Sequence, residues 1–209
     1  MNILITGGNG NIANIIKNNL TKYNIFSPPK YELNILDLNK LKEYIEINNI
    51  NVIIHTAIQG GRRTKVDSYD VVYNNILMFE NIINVSRNMK MVINFDSGAI
   101  YDRKSDILNR QENEIYNIPE DFYGFSKYII YKRSLQYDNI YNFRIFNIFH
   151  PNEEKDRYIK ICMDASINNE ININDDKYFD FFYSLDFIKV VEYYLDNISS
   201  NILEKTINL

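Results

Sequence analysis

Tyr123 and Lys127 stand four residues apart in the segment Tyr123-Gly124-Phe125-Ser126-Lys127. On a helix that spacing stacks both side chains on one face. An ammonium beside a phenol favours the ionised phenol. A phenol of lowered pKa can give or take a proton at a carbonyl or an alcohol near neutral pH. The chain has 17 tyrosines in 209 residues, so the pair alone fits a solvated helical edge equally well. Its meaning rests on what the chain places around it.

The clearest companion is Thr6-Gly7-Gly8-Asn9-Gly10-Asn11-Ile12-Ala13. It follows the short apolar run 2–6 and precedes Ile12, Ala13, Ile15, Ile16 and Leu20 at helical spacing. Strand, tight turn and helix in that order are the context a phosphate-cradling loop needs. Gly7 permits the turn, and Gly10 lets the backbone approach a pyrophosphate at a helix N-terminus that offers free amides. Ala13 takes the place of a third glycine, where a methyl is tolerable. The second strand ends in Ser27-Pro28-Pro29-Lys30 without the acidic residue that usually meets ribose hydroxyls. Lys30 can neutralise a 2′-phosphate there, which points modestly to NADP over NAD; a plain exposed loop lysine fits as well.

These residues need a frame, and strands alternating with helices supply it. Strands are expected at 2–6, 23–26, 33–36, 51–55, 91–95 and 140–146. Helices are expected after Gly10, at 38–47, at about 68–88 and from Tyr123 to about 136. That rhythm predicts a parallel sheet covered on both faces, with ligands at the carboxyl ends of its strands. Past His150-Pro151 the pattern changes to a helix over 157–167, short strands at 171–174 and 179–183, and a helix over 185–195. The expected organisation is one main domain, 1–150, with a small appendage, 151–209.

Composition is ordinary for a globular protein, at 45% hydrophobic and 24% charged. The net charge of −4 argues against a nucleic-acid partner. The single cysteine, Cys162, fits a reducing compartment. No apolar run reaches membrane-spanning length, and the first residues read as a strand rather than a signal peptide. A soluble, cytoplasmic protein is expected.

Over nearly its whole length the chain resembles extended short-chain dehydrogenase/reductases of the nucleotide-sugar epimerase/dehydratase group, most closely the GDP-fucose synthase and dTDP-4-dehydrorhamnose reductase branches. The loop at 6–13 is similar to TGxxGxxG/A. Glu32-Leu33-Asn34-Ile35-Leu36-Asp37 is similar to ELDLxD, and Val52 to Ala57 to DVVIHxAA, with Gly60-Gly61 following. Ser97-Gly98-Ala99-Ile100-Tyr101 resembles SSxxVYG. Tyr123 and Lys127 match YxxxK, Arg144 to Pro151 resembles RxxNVYGP, and 179–186 resembles RDFVYVDD.

The resemblance implies an α/β, doubly wound Rossmann fold with a shortened C-terminal substrate-binding region. It implies Ser97, Tyr123 and Lys127 as the catalytic set. Cofactor contacts are implied at Gly7, Gly10, Asn11, Ile12, Lys30, Asp37, Leu38, Thr56, Ala57, Tyr123 and Lys127. Asn75 joins them, in a role of buttressing the site. Substrate contacts are implied at Ser97, Gly98, Tyr123 and Asn147. The partners implied are a nucleotide-diphospho-sugar and a second copy of the chain, paired through the helices of Asn75 and Tyr123.

The departures narrow the chemistry. Gly98 and Ala99 stand where 4,6-dehydratases of the family have an Asp-Glu pair, so dehydration is not expected. Ala99 also replaces the cysteine of GDP-fucose synthases, and no histidine follows Pro151, so double epimerisation is not expected. His150 replaces a family glycine and reads as a loop residue, as do Arg62, Arg63 and Lys65. The expected activity is NADP(H)-dependent reduction of a 4-keto nucleotide sugar for surface polysaccharide synthesis. The alternatives are an NAD-dependent 4-epimerase and a non-catalytic cofactor-binding protein.

Overall fold

The computed structural model describes residues 1–62, 65–101, 106–151, 153–155, 157–168 and 179–209, with side chains undescribed at 167–168. The elements in chain order are β1 (Asn2–Thr6), α1 (Asn11–Asn19), β2 (Asn24–Phe26), α2 (Leu38–Ile47), β3 (Val52–His55), α3 (Asp70–Ser86), β4 (Met91–Ser97), α4 (Phe122–Ser134) and β5 (Ile140–Ile145). There follow β6 (Ile148–Phe149), α5 (Tyr158–Asn168), β7 (Phe182–Tyr183), α6 (Ser184–Asp196) and β8 (Thr206–Asn208). A 3₁₀ turn, Gly98–Ile100, follows β4 directly.

Six strands form one sheet in the order β2-β1-β3-β4-β5-β8, and every pairing in it is parallel. The order reverses between β1 and β3, which opens a crevice beyond their carboxyl ends. Alternate residues of the central strands face opposite sides. Ile3, Ile5, Val52, Ile54, Met91 and Ile93 join a core that also contains Ile16 of α1 and Phe187 of α6. Leu4, Ile53 and Val92 join another with Leu41 of α2, Phe79 of α3 and Ile130 of α4. Burial on both faces explains why these strands read as unbroken apolar runs. The doubly wound α/β architecture expected from the sequence is present.

Two local expectations need correction. The strand expected at 33–36 is a series of turns. Leu33 and Ile35 are buried, but Leu33 N donates to Pro29 O, Leu36 N to the Asn34 side chain and Asp37 N to Asn34 O. Donors engaged in turns cannot extend the sheet past β2. The strand expected at 179–183 is only Phe182–Tyr183, paired with β6 in a separate two-stranded sheet, and 171–174 lies outside the described residues.

Beyond the expected boundary at 150 the chain returns to the main layer. Residues 206–208 pair with β5, and Phe187, Val191 and Leu195 of α6 lie in the same core as β1. The chain leaves the sheet only between β5 and α6. Three residues of strand carry too little periodicity to be read from sequence.

Candidate active site

At the switch point, the turn after β1 packs against the end of β3. Gly7 has φ +71°, and a Cβ there would stand 2.9 Å from Ala57 Cα. Thr56 Oγ1 donates to Thr6 O at 2.6 Å, and Ala57 N donates to Thr6 Oγ1 at 3.2 Å. Gly10 N donates to Gly7 O at 2.8 Å and closes the turn. Gly10 is also the N-cap of α1 and supplies no side-chain cap, so the first-turn amides at Asn11 and Ile12 have no capping side chain. Gly7, Gly10, Asn11, Ile12, Thr56 and Ala57 therefore come together as one cradle suited to an anion.

Gly8 has a part that motif spacing does not show. Its N donates to Pro28 O at 3.1 Å, and a Cβ would fall 2.2 Å from Ser27 O, so the end of β2 lies directly on this loop. Lys30 is exposed just beyond. Asp37 caps α2, accepting from Asn39 N and Lys40 N at 3.1 Å, and Leu38 opens that helix.

The second group gathers around the N-terminus of α4. Asp121 caps the helix, accepting from Gly124 N at 2.8 Å. A Cβ on Gly124 would lie 2.7 Å from Ala99 O, so the helix start presses on the 3₁₀ turn that Ser97 caps. Ser97 Oγ accepts from Ala99 N at 3.2 Å, which leaves its own hydrogen to be donated elsewhere. The Lys127 Nζ lies 6.0 Å from the Tyr123 ring centroid and donates to Phe95 O. Lys127 is buried, and burial pushes its pKa down to about 8, opposed by the Asp96 carboxylate. Gly61, at φ +77°, lays its backbone on the Tyr123 ring, where a Cβ would come within 2.9 Å.

Asn75 is fully buried. Its Oδ1 accepts from Gln59 N at 2.9 Å, and its Nδ2 donates to Gln59 O and Ser126 Oγ, both at 3.0 Å. It joins the loop after β3 to α4. Gly98 lies against Phe146, where a Cβ would be 2.5 Å from the ring. Asn147 sits past β5, its Nδ2 donating to Asp180 O at 3.1 Å and its carbonyl accepting from Phe182 N. Its amide therefore anchors the small sheet while its position overlooks the strand ends.

Sequence reasoning missed the buried charges beneath this group. Arg144 Nε donates to Asp96 Oδ2 at 2.7 Å with both side chains fully buried. The guanidinium lies between the rings of Tyr101 and Tyr131, 4.9 and 4.7 Å from their centroids, and donates to Glu112 O. Asp96 immediately precedes Ser97, and an acid within an apolar strand was the available signal.

His55 is buried, with Nδ1 hydrogen-bonded to Thr6 Oγ1 at 2.9 Å. Burial, and then the nearby Lys127 charge, push its pKa down to about 3. The neutral ring is thus favoured in the folded state, so its stabilising share is complete above pH ~6.5 and is lost as pH falls toward 3. Urea midpoints should fall on acidification with a slope approaching ~1.4 kcal/mol per pH unit from this group. A His55→Gln variant whose acid sensitivity equals wild type would refute that source.

Solved structures share this architecture across the whole chain. A GDP-L-fucose synthetase from Naegleria fowleri bound to NADP is 16% identical with a TM-score of 0.77, matching 100% of this chain and 76% of its own. A dTDP-4-dehydrorhamnose reductase from Clostridium acetobutylicum is 17% identical at 0.81, covering 100% and 74%. A GDP-mannoheptose C4 reductase from Campylobacter jejuni with NADP bound is 19% identical at 0.80, covering 100% and 77%. At such identities the likeness shows the fold. No curated protein sequence matches the chain. The family description "NAD dependent epimerase/dehydratase family" matches residues 3–209, the whole of the architecture described above, and the chain belongs to that family.

Proposed function

We propose that this enzyme reduces a 4-keto nucleotide-diphospho-sugar with NADPH, in the cytoplasm and for surface polysaccharide synthesis. The observation that carries the reading is the pairing of an intact Ser97, Tyr123 and Lys127 set with Gly98 and Ala99, which have no group able to move a second proton. The place of a side chain at 98 is filled by Phe146, so the site has no room for an added acid there without displacing that ring.

The cradle at Gly7, Gly10 and the start of α1 fits a pyrophosphate, because its glycines bring backbone amides where any side chain would intrude. A bound nicotinamide coenzyme would supply the hydride. Tyr123 would give its phenolic proton to the sugar carbonyl oxygen. The Ser97 hydroxyl would donate to the same oxygen as charge develops on it. Lys127, while charged, favours the ionised phenol and so lowers the barrier to that transfer. Asn147 would meet the sugar nucleotide from the opposite rim.

The preference for NADP is supported by the absence of an acid at the end of β2 and by Lys30 beyond it. The buried Ser27 Oγ, without a hydrogen-bond partner among the described residues, adds a group that a phosphate could engage. The decisive experiment follows nicotinamide absorbance with NADPH and NADH against GDP-, dTDP-, UDP- and CDP-linked 4-keto sugars. Oxidation of NADPH by one of them is expected. Purification with tightly bound NAD, and turnover without added coenzyme, would replace this reading with the 4-epimerase.

We also propose a homodimer through α3 and α4. Tyr69, Tyr73, Ile76, Phe122 and Phe125 line an almost wholly apolar groove of about 610 Å³ between these helices. Tyr73 is 65% exposed and Phe122 44%, more apolar surface than a helix pair normally leaves to water. Light scattering on Ile76→Glu should give a monomer where wild type gives a dimer. A dimeric variant would exclude this face.

A further inference from the structure

In β4, successive side chains alternate between the two faces of the sheet. Phe95 packs into the core with α6, so its neighbour Asp96 faces the α3 and α4 side. Lys127 descends from α4 onto the same place, its Nζ on the Phe95 carbonyl. Asp96 is fully buried, with Oδ2 accepting from Arg144 Nε at 2.7 Å. Its Oδ1 has no hydrogen-bond partner among the described residues. One carboxylate oxygen is therefore committed to Arg144; burial pushes the Asp96 pKa up, and the Arg144 and Lys127 charges oppose that shift.

The other charged or titratable groups nearby do not offset Lys127. His55, on β3, is held neutral by burial and bears no compensating charge. Arg144, on β5, is positive and already paired with Asp96, under the rings of Tyr101 and Tyr131. Tyr123, on α4 itself, is the group that Lys127 is expected to polarise. Asp96 is thus, among the described residues, the carboxylate placed to hold a proton on the buried lysine. Removing an opposite charge from a low-dielectric site weakens the charged form strongly.

We propose that Asp96 is a positioning residue for the proton transfer: its buried carboxylate, oriented by Arg144, keeps Lys127 charged inside a site that would otherwise discharge it. The pair works as an oriented unit, with its negative end toward Lys127. Burial draws the Lys127 pKa toward about 8, and Asp96 is what keeps it from falling further. This role rests on the reading of Tyr123 and Lys127 as the reacting pair, but its test does not need a substrate.

The experiment is an NMR titration of protein labelled with ¹³C at the lysine ε-carbon, the Lys127 signal being identified by its loss in Lys127→Met. Wild type, Asp96→Asn and Asp96→Asn/Arg144→Met are compared, the double variant restoring a neutral core if the single one folds poorly. The midpoint of Lys127 should drop by at least one pH unit, a tenfold loss of proton affinity, in every folded variant. An unchanged midpoint in the folded double variant overturns the proposal. With a turned-over substrate in hand, the alkaline limb of the rate profile should move down by the same amount. A shifted Lys127 titration without turnover of any keto sugar would uphold the role of Asp96 and refute the proposed reaction instead.

Discussion

Tyr123→Phe is expected to lower turnover of the 4-keto sugar nucleotide by roughly 10²–10⁴-fold, the usual worth of a positioned general acid. Coenzyme affinity should stay within about twofold of wild type, well under the ~1.4 kcal/mol that a tenfold change represents. The separation follows from how the ring is held. Its face lies on the Gly61 backbone, and its helix is capped by Asp121 and tied to α3 through Ser126 and Asn75. These contacts hold the ring and its helix in place. The cradle at Gly7 and Gly10 is built on β1 and β3, away from α4. Steady-state rates and fluorescence titration of NADPH check the two halves separately. Wild-type turnover in the variant would remove Tyr123 from the mechanism, and lost coenzyme binding would show that the substitution disturbed the fold.

Arg144→Met is expected to destabilise the protein by about 3–5 kcal/mol, because it leaves the buried Asp96 carboxylate unpaired. The loss also frees the acceptors that Arg144 serves at Glu112 O and Asn208 Oδ1. Adding Asp96→Asn should restore much of the stability, since the uncompensated charge, rather than the missing attraction, is the main cost. Urea midpoints of the single and double variants decide it. A single variant as stable as wild type would mean that burial, which pushes the Asp96 pKa up, has already neutralised it in the folded protein.

What could be read from the sequence follows from the range of each interaction. The cradle and the Tyr123–Lys127 pair depend on a turn and on helical periodicity, both local, and their residue types are visible at fixed spacing. The apolar runs of β1, β3 and β4 were legible because both faces of the sheet are buried. The segment 33–36 misled because Leu33 and Ile35 alternate like a strand and are buried like one. Whether a donor meets a neighbouring strand or its own turn is not written in hydrophobicity. The edge strand 206–208 was invisible for a related reason, since its pairing is set by β5, far away in the chain. Asp96 and Arg144 share this limit: each looks like a lone charge until the register of β4 and β5 sets them side by side. Family resemblance supplied what periodicity could not, pointing to Ser97 and Asn75.

The position of β8 bears on the order in which the protein can assemble during synthesis. Asn208 receives hydrogen bonds from Arg144 and Tyr101, its own N–H goes to Glu112, and its amide reaches Arg110 O. The strand that completes the floor of the site is therefore made after every residue above it. At ordinary elongation rates β5 waits several seconds with an unpaired edge. During that interval Arg144 has its carboxylate but not Asn208, and the open edge is a template for another nascent chain. Five of the six strands are thus in place before the last edge is closed.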